Sequence, residues 1–266
     1  RVDGFYTSFY FENNNNNKKN KFQKNFNMKL KKALLKSDFV IYQSLFSKKI
    51  IDKEIFFRHH NYTITLNPVN THIFFPKNKK NKKFNILLLG VWRDINLLKY
   101  SLKTTNYLDN KSVDSINIIG PFKNNIKNKI LNYIKEKIVT NIKINFIGQI
   151  QYQELKDKIN DNSLLLHLKS GDWCPNSVIE SMSCGLPVVC QDYGGVKEIV
   201  GDAGVIINYQ PHKYDNNLSK LAAKAILEIY ENYEKFSFNA RNRAVKIHDI
   251  DIVCSKYHSN ILNQNE

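Results

Sequence analysis

The sequence predicts an α/β fold, a Rossmann-like parallel sheet with helices on both faces. Two observations carry the prediction. From Phe84 onward, short apolar runs alternate with segments of helical periodicity, the pattern of repeated strand–helix units. Most of those runs are apolar throughout, as strands covered on both faces are. NILLLG (85–90), SINIIG (115–120), IKINFIG (142–148), SLLLHL (163–168), LPVVCQ (186–191) and GVIIN (204–208) read as strands. Residues 95–108, 128–138, 152–160 and 177–184 read as the helices between them, and 218–233 and 236–248 as two more. The side chains with useful chemistry follow the strands, at the carboxyl edge where open parallel sheets bind ligands.

Upstream, residues 13–25 (NNNNNKKNKFQKN) are polar and of low complexity, and are expected to form a surface loop or a disordered insert. Residues 28–37 have helical spacing, 38–43 form a buried strand, and 44–56 form a helix opened by Ser44 as N-cap. A short strand over 63–69 ends at a proline. The lysine–asparagine tract ending at 83 has linker composition. The expected organisation is a first unit over 1–76, a linker at 77–83, a main domain over 84–247 and a tail at 248–266.

Composition narrows the function. The chain has 266 residues and a formal net charge of +16. An anionic partner, nucleic acid or an acidic membrane surface, is one reading of that charge. A compositional bias toward lysine and asparagine is the other. No apolar run is long enough for a transmembrane helix. Cys174, Cys184, Cys190 and Cys254 lack metal-ligand spacing and read as free thiols of a reducing cytosol. The first strand runs into GVWRDI rather than GxGxxG, which argues against a dinucleotide enzyme. GxxxxGK[ST], HExxH and GxSxG are missing too.

The densest chemistry lies in HLKSGDWCPNSVIESMSCGLPVVCQDYGGVKEIV (167–200). Asp172 and Glu180 are separated by seven residues, with a helix start at Pro175 and Asn176 between them. A helix N-terminus offers N–H groups to a phosphate, and carboxylates accept hydrogen bonds from hydroxyls. The unit therefore suits a phosphorylated, hydroxyl-rich ligand.

This segment resembles the donor site of the retaining nucleotide-sugar glycosyltransferases of the GT-B fold, family 4 (glycosyl transferases group 1). The subgroup pattern D-x-C-P-N-x-V-x-E is met by DWCPNSVIE, with aspartate at Asp172 where most members have glutamate. RVDGFY (1–6), 37–48, 67–76, 85–93, 116–122 and 144–155 resemble further family blocks in the expected order. The resemblance implies two Rossmann-like domains across a cleft, with residues 1–80 only the last third or so of the first. Most of the acceptor-side domain would then be missing.

Residue by residue, it implies that Glu180 binds the ribose hydroxyls. Asp172 binds the transferred sugar and steadies positive charge at its anomeric carbon, and Asn176 and Ser177 hold the diphosphate or the sugar. Arg93, after Gly90, and Lys99 neutralise the leaving diphosphate. Gly148 and Gln149 lie under the base, and Gly195, with Gly194, makes a tight turn. His167 reads as a core or rim histidine. Asn176 also reads as an N-cap on spacing alone.

The implied reaction is sugar transfer, with retention, from a nucleotide diphosphate sugar to a saccharide, lipid or protein hydroxyl. No cofactor and no bound metal are expected. The implied place is the cytoplasm, with the inner face of a membrane as a peripheral contact. Two rivals stand beside it: a fragment that binds donor without turnover, and a basic nucleic-acid-binding protein. Scattered lysines and the lack of a nucleic-acid motif weigh against the second.

Overall fold

A computed structural model describes residues 17–77, 83–93, 95–123 and 125–262. RVDGFY and the central part of the expected linker, 78–82, lie outside them. The first elements are helix α1 (Asn17–Lys36), strand β1 (Val40–Tyr42), helix α2 (Leu45–Glu54) and strand β2 (Tyr62–Ile64). β1 and β2 pair in parallel, Val40 opposite Tyr62. Ser44 caps α2, its hydroxyl accepting from the Ser47 amide, with Ser47 closing a capping box.

α1 corrects the expectation of a loop or disordered insert over 13–25, of which 17–25 are helical. The chain here has no glycine or proline, so nothing in it breaks a helix. Leu34 and, less deeply, Leu30 dock on a small core of Val40, Tyr42 and Ile51. With that end anchored, the helix extends toward its N-terminus at little further cost, since nucleation is the expensive step. Arg58 fastens the same C-terminal end, donating to the carbonyls of Leu34 and Ser37 at 2.6 Å each.

The main sheet comprises β3 (Asn85–Leu89), β4 (Ser115–Ile119), β5 (Lys143–Gly148), β6 (Leu164–His167), β7 (Val188–Gln191) and β8 (Gly204–Ile207). Its order is β5-β4-β3-β6-β7-β8 and every pair is parallel. The predicted α/β class with a helix-covered parallel sheet is therefore the observed one. Succession reverses between β3 and β6, so the crevice of a doubly wound sheet opens outside their carboxyl ends.

Successive strand residues point to opposite faces. Ile86, Leu88, Ile116, Ile118 and Leu166 enter one core, which α3 (Ile95–Lys103), α4 (Ile126–Lys137) and α8 (Asn216–Glu231) cover. Leu87, Leu165, Val188 and Cys190 enter the other, under α5 (Tyr152–Asn160), α6 (Asn176–Ser183) and α7 (Val196–Val200). Leu87 and Leu88 are both fully buried, one on each face. Burying such a side chain is worth about 1.5–3 kcal/mol, which is why the strand ignores the alternation of a half-exposed sheet.

The C-terminal elements tie the first unit to the second. α9 (Tyr233–Arg243) runs through one π-helical turn, 244–248, into α10 (Ile250–Leu262), so the expected tail at 248–266 contains a 13-residue helix. Arg241 on α9 donates to the carbonyls of Thr71, Phe74 and Ser183. His248 is fully buried with Nδ1 3.0 Å from the Asn67 carbonyl, and burial pushes its pKa down to about 4. Among the described residues, no helix is long and apolar enough to cross a membrane.

Candidate active site

The crevice is bounded on one side by the turn after β3. Gly90 leaves the strand with open space where a Cβ would stand. The neighbouring turn demands glycine more strictly: a Cβ on Gly120, at φ +116°, would lie 1.8 Å from the Gly90 carbonyl oxygen. Trp92 is buried, its indole Nε1 donating to the Ile119 carbonyl at 3.1 Å, and it sets Arg93 on the surface. Arg93 is exposed, with no hydrogen bond or ion pair among the described residues. Lys99 has a different setting. Its ammonium lies 5.2 Å from the centroid of Tyr133, bridging α3 to α4. Gly148, at φ +80°, ends β5, its carbonyl accepting from the Gly120 amide at 2.7 Å, and Gln149 after it is exposed.

On the other side lies the loop between β6 and α6. Lys169 Nζ is 2.9 Å from Asp172 Oδ2, and His167 Nε2 stands 3.5 Å from the same oxygen. Burial opposes ionisation of Asp172, but the His167 imidazole and the Lys169 ammonium more than offset it. The carboxyl is held well below its usual range. Asp172 is thus held as an anion, paired with Lys169 and beside the His167 ring.

Glu180 has the opposite character. It lies one turn into α6, half-buried, and its carboxylate has no hydrogen-bond or ion-pair partner among the described residues. Burial alone raises its pKa from 4.5 to about 7. Two carboxylates eight positions apart are therefore pushed in opposite directions, a pattern that marks functional clefts. Tyr152 on α5 is close enough to be perturbed by Glu180, after its own burial.

Pro175, not Asn176, occupies the N-cap of α6, and no side chain caps that end. Asn176 instead lends its side-chain carbonyl to Asn67 Nδ2 at 2.8 Å, while the same amide group donates to the Cys174 carbonyl. With proline at the cap, the first-turn amides of Asn176 and Ser177 remain available to an anion. α6 is eight residues long, enough to carry a helix dipole.

The loop before α7 closes the site. Gly195 donates its amide to the Asp172 carbonyl at 2.8 Å, and a Cβ on it would meet the Trp173 carbonyl at 1.9 Å and the Ser44 hydroxyl at 2.7 Å. Gly194, at φ +146°, allows the same close approach. Glu198 on α7 accepts from the amides of both Leu45 and Phe46 at 2.7 Å, so it fills the N-terminus of α2 and pins the small unit beside the site.

The structure thus gathers Asp172, Glu180, Asn176, Ser177 and Gly195 on one side of the crevice and Gly90, Arg93, Gly148 and Gln149 along its carboxyl edge. Lys169 escaped sequence reading, although its position three residues before Asp172 is the spacing of a local ion pair. The role of Glu198 has no local signal, since its partners lie 152 and 153 residues away. Among the described residues no group of three His, Cys, Asp or Glu side chains could hold a metal ion.

Comparison with known proteins agrees with this fold. The family described as Glycosyl transferases group 1 matches residues 69–243. No curated protein sequence matches the chain. Among solved structures, sucrose-phosphate synthase of Thermosynechococcus elongatus is similar at TM-score 0.70 and 17% identity, over 91% of this chain and 61% of that one. Anabaena Alr3699/HepE, in complex with UDP and glucose, is similar at TM-score 0.71 and 14% identity, over 85% and 64%. The pneumococcal O-GlcNAc transferase GtfA, in complex with UDP and GlcNAc, is similar at TM-score 0.64 and 14% identity, over 91% and 48%. The chain therefore spans less than two thirds of each of these proteins, and the likeness is one of fold.

Proposed function

The chain belongs to the family of glycosyl transferases group 1, and from that premise we propose that it is a GT-B glycosyltransferase using a nucleoside diphosphate sugar. The sugar passes to a hydroxyl acceptor with retention of anomeric configuration. One observation carries the reading: Asp172, paired with Lys169, and Glu180, its pKa raised by burial, flank the N-terminus of α6, which no side chain caps, at the sheet's switch point. That the HepE and GtfA structures are complexes with UDP supports a nucleotide as ligand.

In this reading Glu180 accepts hydrogen bonds from the ribose hydroxyls, giving up its proton as the nucleotide binds. The amides of Asn176 and Ser177 take the diphosphate or the sugar, and Arg93 reaches the diphosphate from the opposite side. Negative charge grows on that diphosphate as the glycosidic bond breaks, so groups fixed there act on the transition state. Asp172 faces the sugar, where its fixed charge steadies an oxocarbenium-like carbon. Gly148 and Gln149 lie along the base. No resident metal takes part in this scheme, since Arg93 and the α6 dipole supply the positive field. The acceptor class is a saccharide, lipid or protein hydroxyl, and the site faces the cytoplasm.

On the acceptor side, the described residues supply α1, β1, α2 and β2, a two-stranded sheet with two helices. Holding two substrates in line is worth about 7–11 kcal/mol when complete. A small wall provides little of it, so residues 1–266 alone are expected to transfer slowly, with water as the first acceptor observed. NMR of the sugar released from an α-linked donor tests the reaction. The account expects the α-anomer first, at a rate unchanged by EDTA. Initial release of the β-anomer, or loss of the reaction on chelation, would count against it. Donor bound without any release would favour the binding-only reading.

A further inference from the structure

β3 and β4 stay in one register past their ends. Asn85 pairs with Ser115 and Leu89 with Ile119, and beyond Gly90 and Gly120 an isolated parallel bridge pairs Trp92 with Phe122 at the same offset. Two ladder bonds frame that bridge: the Trp92 amide donates to the Pro121 carbonyl and the Lys123 amide to the Trp92 carbonyl, at 3.0 Å each. Arg93 and Lys123 therefore stand at the next register position, on neighbouring chains about 4.8 Å apart. Trp92 and Phe122 pack into the core under α3 and α4. Alternation turns the residues that follow them to the other face, where α6 begins. Both cations are exposed, and neither side chain has a hydrogen bond or ion pair among the described residues.

Like charges set directly opposite each other destabilise a strand pair. Two cations at one register position repel each other in the empty protein, and an anion between them relieves that repulsion. We propose that Lys123 is the second cation of the diphosphate site, holding the leaving group of the donor together with Arg93. Arg93 offers a planar fork that fits two oxygens of one phosphate, and Lys123 adds a point charge beside it. Lys99 is placed differently. It lies on α3, which covers the face of the sheet away from α6, with its ammonium over Tyr133. Lys123 instead enters from the turn after β4, at the carboxyl edge itself, so the site needs no lysine from α3. The inference rests on the donor-site reading and adds to it the source of the second positive charge.

Calorimetry of the full chain and its variants with UDP and GDP, and with uridine and guanosine, tests it. Lys123→Ala is expected to lower affinity about tenfold for whichever diphosphate binds more tightly. Affinity for the matching nucleoside should not change, and Lys123→Arg should keep most of the diphosphate binding. Lys129→Ala, the same charge change at an exposed position of α4, should lower it far less. Lys99→Ala should also cost less affinity than Lys123→Ala. Four results would overturn the proposal while leaving the donor-site reading in place: unchanged diphosphate binding by Lys123→Ala, a loss shared equally by the nucleoside, an equal loss from Lys129→Ala, or a larger loss from Lys99→Ala. A parent chain that binds neither diphosphate would remove that reading, and the proposal with it.

Discussion

Glu180→Gln is expected to weaken nucleotide binding about tenfold or more and, at the same time, to stabilise the ligand-free protein above neutral pH. The binding loss follows from removing a carboxylate that accepts charge-assisted hydrogen bonds from hydroxyls, worth about 1.5–3 kcal/mol. The stability gain follows from linkage. Burial raises the folded-state pKa from 4.5 to about 7. The folded protein therefore binds the proton more tightly than the unfolded chain. Stability is unaffected below pH 4.5, falls as pH rises from 4.5 through 7, and stays reduced above. At 1.36 kcal/mol per unit, the full penalty is on the order of 3 kcal/mol, and the neutral amide escapes it. Thermal melts of both proteins at pH 5 and pH 8 measure the difference. A variant that binds normally, or one that is less stable than the parent at pH 8, would return Glu180 to an ordinary surface glutamate. The same proton makes nucleotide affinity of the parent rise between pH 6 and pH 8.

Asp172→Asn is expected to cut turnover about a hundredfold or more, the scale of losing one fixed group that stabilises transition-state charge. Donor affinity should change by severalfold at most. The amide keeps the shape and can still accept from Lys169, so the loop survives, but the fixed negative charge does not. The two readouts separate cleanly, because a group acting only in the transition state lowers kcat without raising KM. Steady-state measurement of donor consumption is sufficient. A matched loss in affinity would place Asp172 in ground-state binding, and an unchanged rate would remove it from the chemistry.

The sheet was legible because most of its strands are apolar runs and its helices carry 3.6-residue spacing, so two patterns alternated visibly along the chain. Ser44 was legible as a cap because capping is a local contact. α1 was not, because its lysines and asparagines mask a stripe of only a few inward side chains, and the anchor for Leu34 comes from strand β1 and helix α2. Within the site, Asp172 and Glu180 could be read from spacing, but their opposite protonation could not. That depends on what surrounds each carboxyl: Lys169 and His167 for one, burial without a partner for the other. Reading Asn176 as a cap failed by one residue, since Pro175 already holds that position and Asn67 engages the asparagine side chain. Glu198 sits in a recognisable stretch, yet its part in closing α2 is a long-range contact that no local pattern announces.

The central claim is that a phosphate-binding helix start and a ribose-binding carboxylate share one crevice. Calorimetry of residues 1–266 with UDP and GDP, and with uridine and guanosine, tests it most directly. The account predicts that a nucleoside diphosphate binds at least tenfold more tightly than its nucleoside, because the α6 amides and Arg93 both address phosphate. Equal affinity for the two forms, or no binding of either diphosphate, would contradict it.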